Sequence, residues 1–163
     1  MHTIYKTFTL LTLVSIILFI LVFYKDLEFQ NSPLNKDIME KLQNKNKLIK
    51  NEIYKKYQIK INIPIIIEEQ LPNNLFGLAS YKKGTIKIFL NKNRFQENEE
   101  YMINYVLPHE YAHALMFYFG DFSKENGGHT LKWQKICKNI GGLKCNRFVN
   151  HHDILIEKLG GIY

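Results

Sequence analysis

The stretch VLPHEYAHALMFYFG, residues 106–120, decides how this chain is read. At its centre, His109-Glu110-Tyr111-Ala112-His113 is an H-E-x-x-H pentapeptide, a spacing that has chemical meaning on a helix. Residues i and i+4 stack one turn apart, with Cβ atoms roughly 5–6 Å from each other, so His109 and His113 can share one Zn²⁺. Glu110 lies about 100° further round the helix. From there its carboxylate can reach a water at the metal without being a ligand, which is the metalloprotease arrangement of two His for zinc and a Glu as general base. The flanks, Tyr105-Val106-Leu107 and Ala114-Leu115-Met116-Phe117, are apolar. They put the polar triplet on a partly buried face, where polar groups need partners. Two His and a Glu on a solvated helix would leave those flanks unexplained.

The helical pattern begins near Asn98 and runs to Phe119, with Gly120 as its stop. Pro108 cannot donate to the carbonyl four residues back, so the helix is expected to kink or restart there. Asp121 to Gly128 (DFSKENGG) reads as a loop, and His129 to Ile140 as a second helix ended by Gly141-Gly142. His129, Trp133, Ile136, Cys137 and Ile140 share one stripe of that helix. A histidine heading an apolar stripe is more often a core residue. Beside an H-E-x-x-H that lacks a third ligand, it becomes the candidate. Two helices joined by a loop can pack antiparallel, which returns His129 to His113 and lets Trp133 pack beside the ring. Three neutral His leave zinc a fourth position, the mark of a catalytic rather than a structural site.

Upstream, Leu78 to Leu90 reads as a hairpin with arms Leu78–Tyr81 and Thr85–Leu90 and a turn at Lys82-Lys83-Gly84. Ile86, Ile88 and Leu90 lie on one face, Lys87 and Phe89 on the other. Ile59 to Glu68 (IKINIPIIIE) suggests a strand that Pro64 confines to an edge or interrupts. Leu71 to Asn74 is a turn and residues 91–97 a polar connection. Asp37 to Tyr57 reads as an amphipathic helix with Ile38, Leu42, Ile49, Ile53 and Tyr57 on one face, Asn35 as a possible cap, and a solvated Lys-rich opposite face. His151-His152-Asp153 is metal-capable by composition, but an exposed polar turn explains it better.

At the N-terminus, Phe8 to Tyr24 runs without a charge, spanning about 26 Å as a helix. No small-x-small site comes after it, so it reads as an uncleaved signal anchor with Tyr5, Phe23 and Tyr24 at the interfaces. The organisation expected is an anchor over residues 1–25, a tether over 26–36 and a catalytic domain over 37–163. Lysines flank both ends of the anchor, so charge barely sets its orientation; a short basic start before an apolar run favours export of the downstream chain.

The 163 residues carry a net charge of +7. All but two of the 22 basic residues are Lys spread along the chain, which reads as a solvated surface rather than a nucleic-acid patch. Two cysteines, Cys137 and Cys145, stand with seven residues between them and without a C-x-x-C, which excludes a zinc ribbon. A disulfide and two free thiols are both open.

These residues resemble the SprT-like (Spartan-type) zinc metalloprotease family. VLPHEYAHALMFYFG (106–120) is similar to its active helix, including the Pro before the first His. GHTLKW (128–133) is similar to the segment bearing its third zinc His. FGLASYKKGTIKIFLN (76–91) is similar to its hairpin. The resemblance implies His109, His113 and His129 as zinc ligands, Glu110 as the base, and a minimal zincin α+β fold: a small antiparallel or mixed sheet packed on the H-E-x-x-H helix, here preceded by a transmembrane helix. Thr130 stands where the family often has Gly. Many members carry a C-terminal four-Cys ribbon and some act on DNA-crosslinked proteins. This chain lacks the ribbon and has an apolar anchor, which argues against a DNA-repair role.

The function expected is hydrolysis of peptide bonds in protein or peptide substrates, with Zn²⁺ as cofactor and Glu110 moving the proton. A substrate can add as a strand along the hairpin's free edge. The sequence does not assign the residue that stabilises the oxyanion; Tyr81 and Tyr111 are guesses only. Two other classes compete: a membrane-anchored zinc-binding scaffold without turnover, and a basic nucleic-acid-associated module.

Overall fold

A computed structural model describes residues 2–72 and 74–147. The chain separates into two units, residues 1–34 and 35–163. His151-His152-Asp153 lies outside the described residues.

The first unit is helix α1, His2–Asn31. Its apolar side chains are exposed on all sides, from Ile4 to Tyr24, the pattern of a helix made for apolar surroundings. Its hydroxyls are satisfied within the helix: Thr7, Thr9 and Ser15 donate to the carbonyls of Ile4, Tyr5 and Leu11, which an apolar environment requires. Residues Ile4–Asn31 are long and apolar enough to cross a membrane. The helix runs on through Asp26–Asn31, the first part of the stretch expected as a tether.

The second unit opens with α2, Lys36–Tyr57, capped by Asn35, whose side chain accepts from Ile38 N. Ile38, Leu42, Ile49 and Ile53 are buried, as the periodicity requires. The expected strand shortens to β1, Ile65–Glu68. Pro64 ends its N-terminal reach, although its carbonyl still accepts from Ile88 N. Strands β2, Gly77–Lys82, and β3, Thr85–Asn91, form the hairpin. Lys83 and Gly84 both have positive φ, at 50° and 79°, the geometry of a two-residue turn that matches strand twist. The sheet is mixed, with order β1-β3-β2: β1 parallel to β3, β2 antiparallel to it. β2 is therefore an outer strand. Ile88 and Leu90 of β3 are fully buried.

Residues 91–97 correct the sequence reading. They are not a polar connection; α3 occupies Lys92–Glu97. Lys92 is buried with its ammonium on Glu69 Oε1 at 2.7 Å. Arg94 pairs with Glu97 and lies 4.7 Å from the Phe76 ring centroid. Asn91, fully buried, donates to the Leu75 carbonyl at 2.8 Å and so fixes the chain entering β2.

The long helix is broken as Pro108 demands. A short turn α4, Glu99–Tyr101, leads into a π-helical segment, Met102–Val106, and α5, Leu107–Tyr118, starts afresh. Pro108 offers no N–H to Asn104; the preceding turn widens, and Leu107 N bonds the Met102 carbonyl instead. Gly120, at φ 74°, closes the end. Helix α5 packs on β2 and β3 and against α6, Leu131–Asn139. The fold is a small mixed sheet with helices, an N-terminal apolar helix preceding it.

Candidate metal centre

Helix α5 carries His109 and His113, and a tight turn before α6 supplies His129. The Nε2 atoms of His113 and His109 lie 3.1 and 3.0 Å from Nε2 of His129. One ion with tetrahedral Zn–N bonds near 2.0–2.1 Å separates its ligand nitrogens by roughly 3.3 Å. The three rings thus meet at about the spacing one ion imposes, and they form a cluster able to hold a metal. Their protonation fits as well. Burial, followed by the neighbouring imidazoles, pushes His109 down to about 3. Burial and His129 push His113 down to about 4. His129 is also lowered, first by burial and further by the Arg147 charge, against the pull of the Asn126 and Gly127 carbonyls. The lone pairs a metal needs are therefore available at neutral pH.

His129 is not inside a helix, as the sequence suggested. It sits at φ −91°, ψ 58°, after the 3₁₀ turn Glu125–Gly128. Thr130 is the N-cap of α6 and accepts from Trp133 N. This explains the departure from glycine after the third His: a hydroxyl cap starts the helix at that place. Asn126 is the residue sequence reasoning missed. At φ 49° it bends the turn, its carbonyl lies 3.2 Å from His129 Nδ1, and its side chain donates to the His129 carbonyl. A carbonyl can only accept, so Nδ1 carries the proton and Nε2 keeps its lone pair. The only signal was the N-G-G run, read as a loop. Trp133, fully buried, lies under all three rings, at centroid distances of 4.7, 5.2 and 4.5 Å from His109, His113 and His129. It packs more widely than beside His129 alone.

Glu110 is buried on the same helix, and its Oε2 accepts from Ala79 N of β2 at 2.8 Å. Burial raises its carboxyl from 4.5 to about 8, with the Ala79 N–H pulling the other way. A Cβ on Gly77 would stand 2.7 Å from Glu110 Cγ, so the strand must be glycine there for the carboxylate to lie against it. His109, Glu110, His113 and His129 all line one open cleft of about 570 Å³. Of the two tyrosines singled out from sequence, Tyr111 is excluded from the cleft: it is fully buried and donates to Asn46 Oδ1. Tyr81 packs with tilted rings against Phe117 and Phe122. Tyr105 is the tyrosine that lines the cleft together with Tyr101.

A small mixed sheet backed by an H-E-x-x-H helix, with a third imidazole from the following turn, defines a zincin-like domain of metalloprotease type. The chain belongs to the SprT-like family, whose model matches residues 38–152. No curated protein and no solved structure matches the chain.

Proposed function

We propose that this protein is a zinc-dependent endopeptidase held at a membrane by α1. The observation that carries the reading is the meeting of three uncharged imidazoles beside a buried carboxylate that is tied to an outer strand. His109, His113 and His129 would hold the ion. Zinc in such a site polarises a carbonyl and makes a bound water more acidic. Glu110 takes the proton of the attacking water and returns it to the leaving amine. Burial makes that carboxylate a stronger base, a bound cation would keep it ionised, and the Ala79 N–H fixes one of its oxygens. Trp133 packs the ligand rings, and Asn126 sets the tautomer of His129. The substrate pairs as an added strand along β2, which favours extended segments over particular side chains.

The catalytic unit belongs on the extracytoplasmic side. Cys137 and Cys145 form a disulfide, and such bonds persist in oxidising compartments.

The test uses the full-length protein in detergent, loaded with zinc, against casein, with a chelator control. Glu110→Gln should keep about one zinc per chain and lose hydrolysis. Hydrolysis retained by that variant would remove Glu110 from the scheme. Zinc binding without turnover in the wild type would leave the scaffold reading in its place.

A further inference from the structure

Hydrogen bonds define which residues of β2 face its free edge. Ile88 N donates to the Pro64 carbonyl and Asn91 N to the Phe76 carbonyl. Even-numbered residues of β3 therefore turn their main chain toward β1, and odd-numbered ones toward β2. In an antiparallel pair, opposite residues share both main-chain bonds or neither. Ser80 lies opposite Lys87 and Leu78 opposite Phe89, so Gly77, Ala79 and Tyr81 present their main-chain groups to the outer edge. Ala79 bears out this parity, because its N–H is taken by Glu110 Oε2 at 2.8 Å. The next residue along that edge is Tyr81. Its side chain lies on the α5 side of the sheet, with centroids 6.3 Å from the Phe117 ring and 5.1 Å from the Phe122 ring. Phe117 and Phe122 stack on each other at 5.7 Å. Phe117 continues the i, i+4 row of His109 and His113 on α5 and lines the cleft with them. Phe122 is held just beyond the helix end: Asp121 N donates to the Met116 carbonyl, and the Asp121 carboxylate pairs with Lys132 of α6 at 3.0 Å. Tyr81 and Phe122 are nevertheless 46% and 51% exposed. Single exposed apolar side chains are ordinary, whereas a contiguous group beside a cleft marks a surface for a ligand.

We propose that Tyr81, Phe117 and Phe122 form a subsite for a large apolar side chain, so that the cleft selects polypeptides with an aromatic or long aliphatic residue two positions from the bond to be cut. This deepens the endopeptidase reading and rests on it for the word substrate. Glu110 marks the level of the reacting bond at Ala79. A strand added along β2 places one residue opposite Ala79 and, two residues on, another opposite Tyr81. Side chains directly opposite each other share one face, with Cβ atoms about 4.5–5.5 Å apart. The residue opposite Tyr81 therefore points to the α5 side, onto the three rings. The occupant is a substrate side chain because the rings continue the wall of the cleft: Phe117 belongs to both. Strand pairing along β2 reads backbone alone, so this group is where side-chain selection enters.

The test is binding, measured on full-length Glu110→Gln protein loaded with zinc in detergent. Fluorescent ten-residue peptides differ only in one central residue, Phe, Leu or Ser. Partial burial of one such side chain is worth about tenfold in affinity, so the Phe and Leu peptides are expected to bind about tenfold more tightly than the Ser peptide. Phe122→Ser should erase the difference at unchanged zinc content, and Phe122→Leu should keep most of it. In the wild type, cuts mapped by mass spectrometry should fall at a fixed two-residue distance from the Phe. Equal binding of the three peptides, or a preference untouched by both Phe122→Ser and Tyr81→Ser, overturns the proposal. So does loss of the preference when the protein is moved from detergent into a lipid nanodisc, which would give the rings to the bilayer. Because the Glu110→Gln protein is expected to do no chemistry, a Phe preference in it stands even if the wild type hydrolyses nothing. Hydrolysis with cuts unrelated to the Phe would remove the subsite and leave the endopeptidase reading in place.

Discussion

Replacing Glu110 by Gln should make the metal-free protein more stable, and increasingly so as pH rises. The carboxyl is raised from 4.5 to about 8 by burial. Between those values the folded chain holds a proton that the unfolded chain has released, so the folded state loses stability as pH climbs through this window. Each unit of difference is worth about 1.4 kcal/mol. The loss is about 1 kcal/mol at pH 5, about 3 at pH 7 and about 4 at pH 8, by linkage. Gln removes the titration while its amide oxygen can still accept from Ala79 N. His109 and His113 titrate in both proteins, and their contribution cancels in the difference.

The assay is thermal unfolding of both full-length proteins with a chelator, from pH 5 to pH 8. For a domain of this size the gain at pH 7 corresponds to roughly 10 °C. The slope carries the test, since any fixed cost of seating the Gln amide is the same at every pH. Added zinc should flatten the slope, because a nearby cation favours the ionised carboxylate. A difference in melting temperature that does not change with pH would refute the claim that Glu110 is buried at a cost.

Three further outcomes rest on the same geometry. Trp133 is the only tryptophan and touches all three rings, so Co²⁺ should quench intrinsic fluorescence in the wild type and not in His129→Ala at the same concentration. Gly77→Ala should cost about 1–3 kcal/mol of stability by overpacking and slow hydrolysis at unchanged zinc content; a silent substitution would mean that Glu110 is not held against β2. Asn126→Ala keeps the main-chain carbonyl that faces His129 Nδ1 but removes the side-chain donor to the His129 carbonyl and disfavours the turn's φ of 49°, so the loosened turn should weaken zinc affinity by about tenfold, as read by competition with a chelating dye.

Local signals made much of this fold legible. The 3.6-residue periodicity of α2, the turn read at Lys82-Lys83-Gly84, which narrows to Lys83-Gly84 as Lys82 joins β2, and the stop at Gly120 each state their geometry within a few residues. Where the reading failed, the deciding interaction was distant in sequence. Lys92 looks like a solvated residue until Glu69 meets it from β1's end. The chain over 92–97 then has a reason to coil that its own composition does not announce. The π-helical segment belongs to the same class, though closer to home: Pro108 announces a break, but not whether the chain answers by kinking or by widening the turn before it.

The candidate site divides in the same way. His109, Glu110 and His113 share one helical turn, so their grouping is written in the spacing. His129 was reachable only by asking what an incomplete ligand set lacks. Gly77 and Ala79 entered the sequence reading only as part of the hairpin stretch 76–91; the lack of a Cβ at Gly77 is what lets the Glu110 side chain lie on the strand and accept the Ala79 N–H. The Cys137–Cys145 bond was undecidable, because two thiols at that spacing report neither geometry nor compartment. Once formed, it joins the helix that begins just after His129 to the segment holding Lys144 and Arg147. Breaking it with Cys137→Ser and Cys145→Ser together should cost roughly 2–3 kcal/mol from loop entropy, read as a lower melting temperature, while zinc stays bound. Zinc lost along with that stability would mean that the bond supports the metal turn itself.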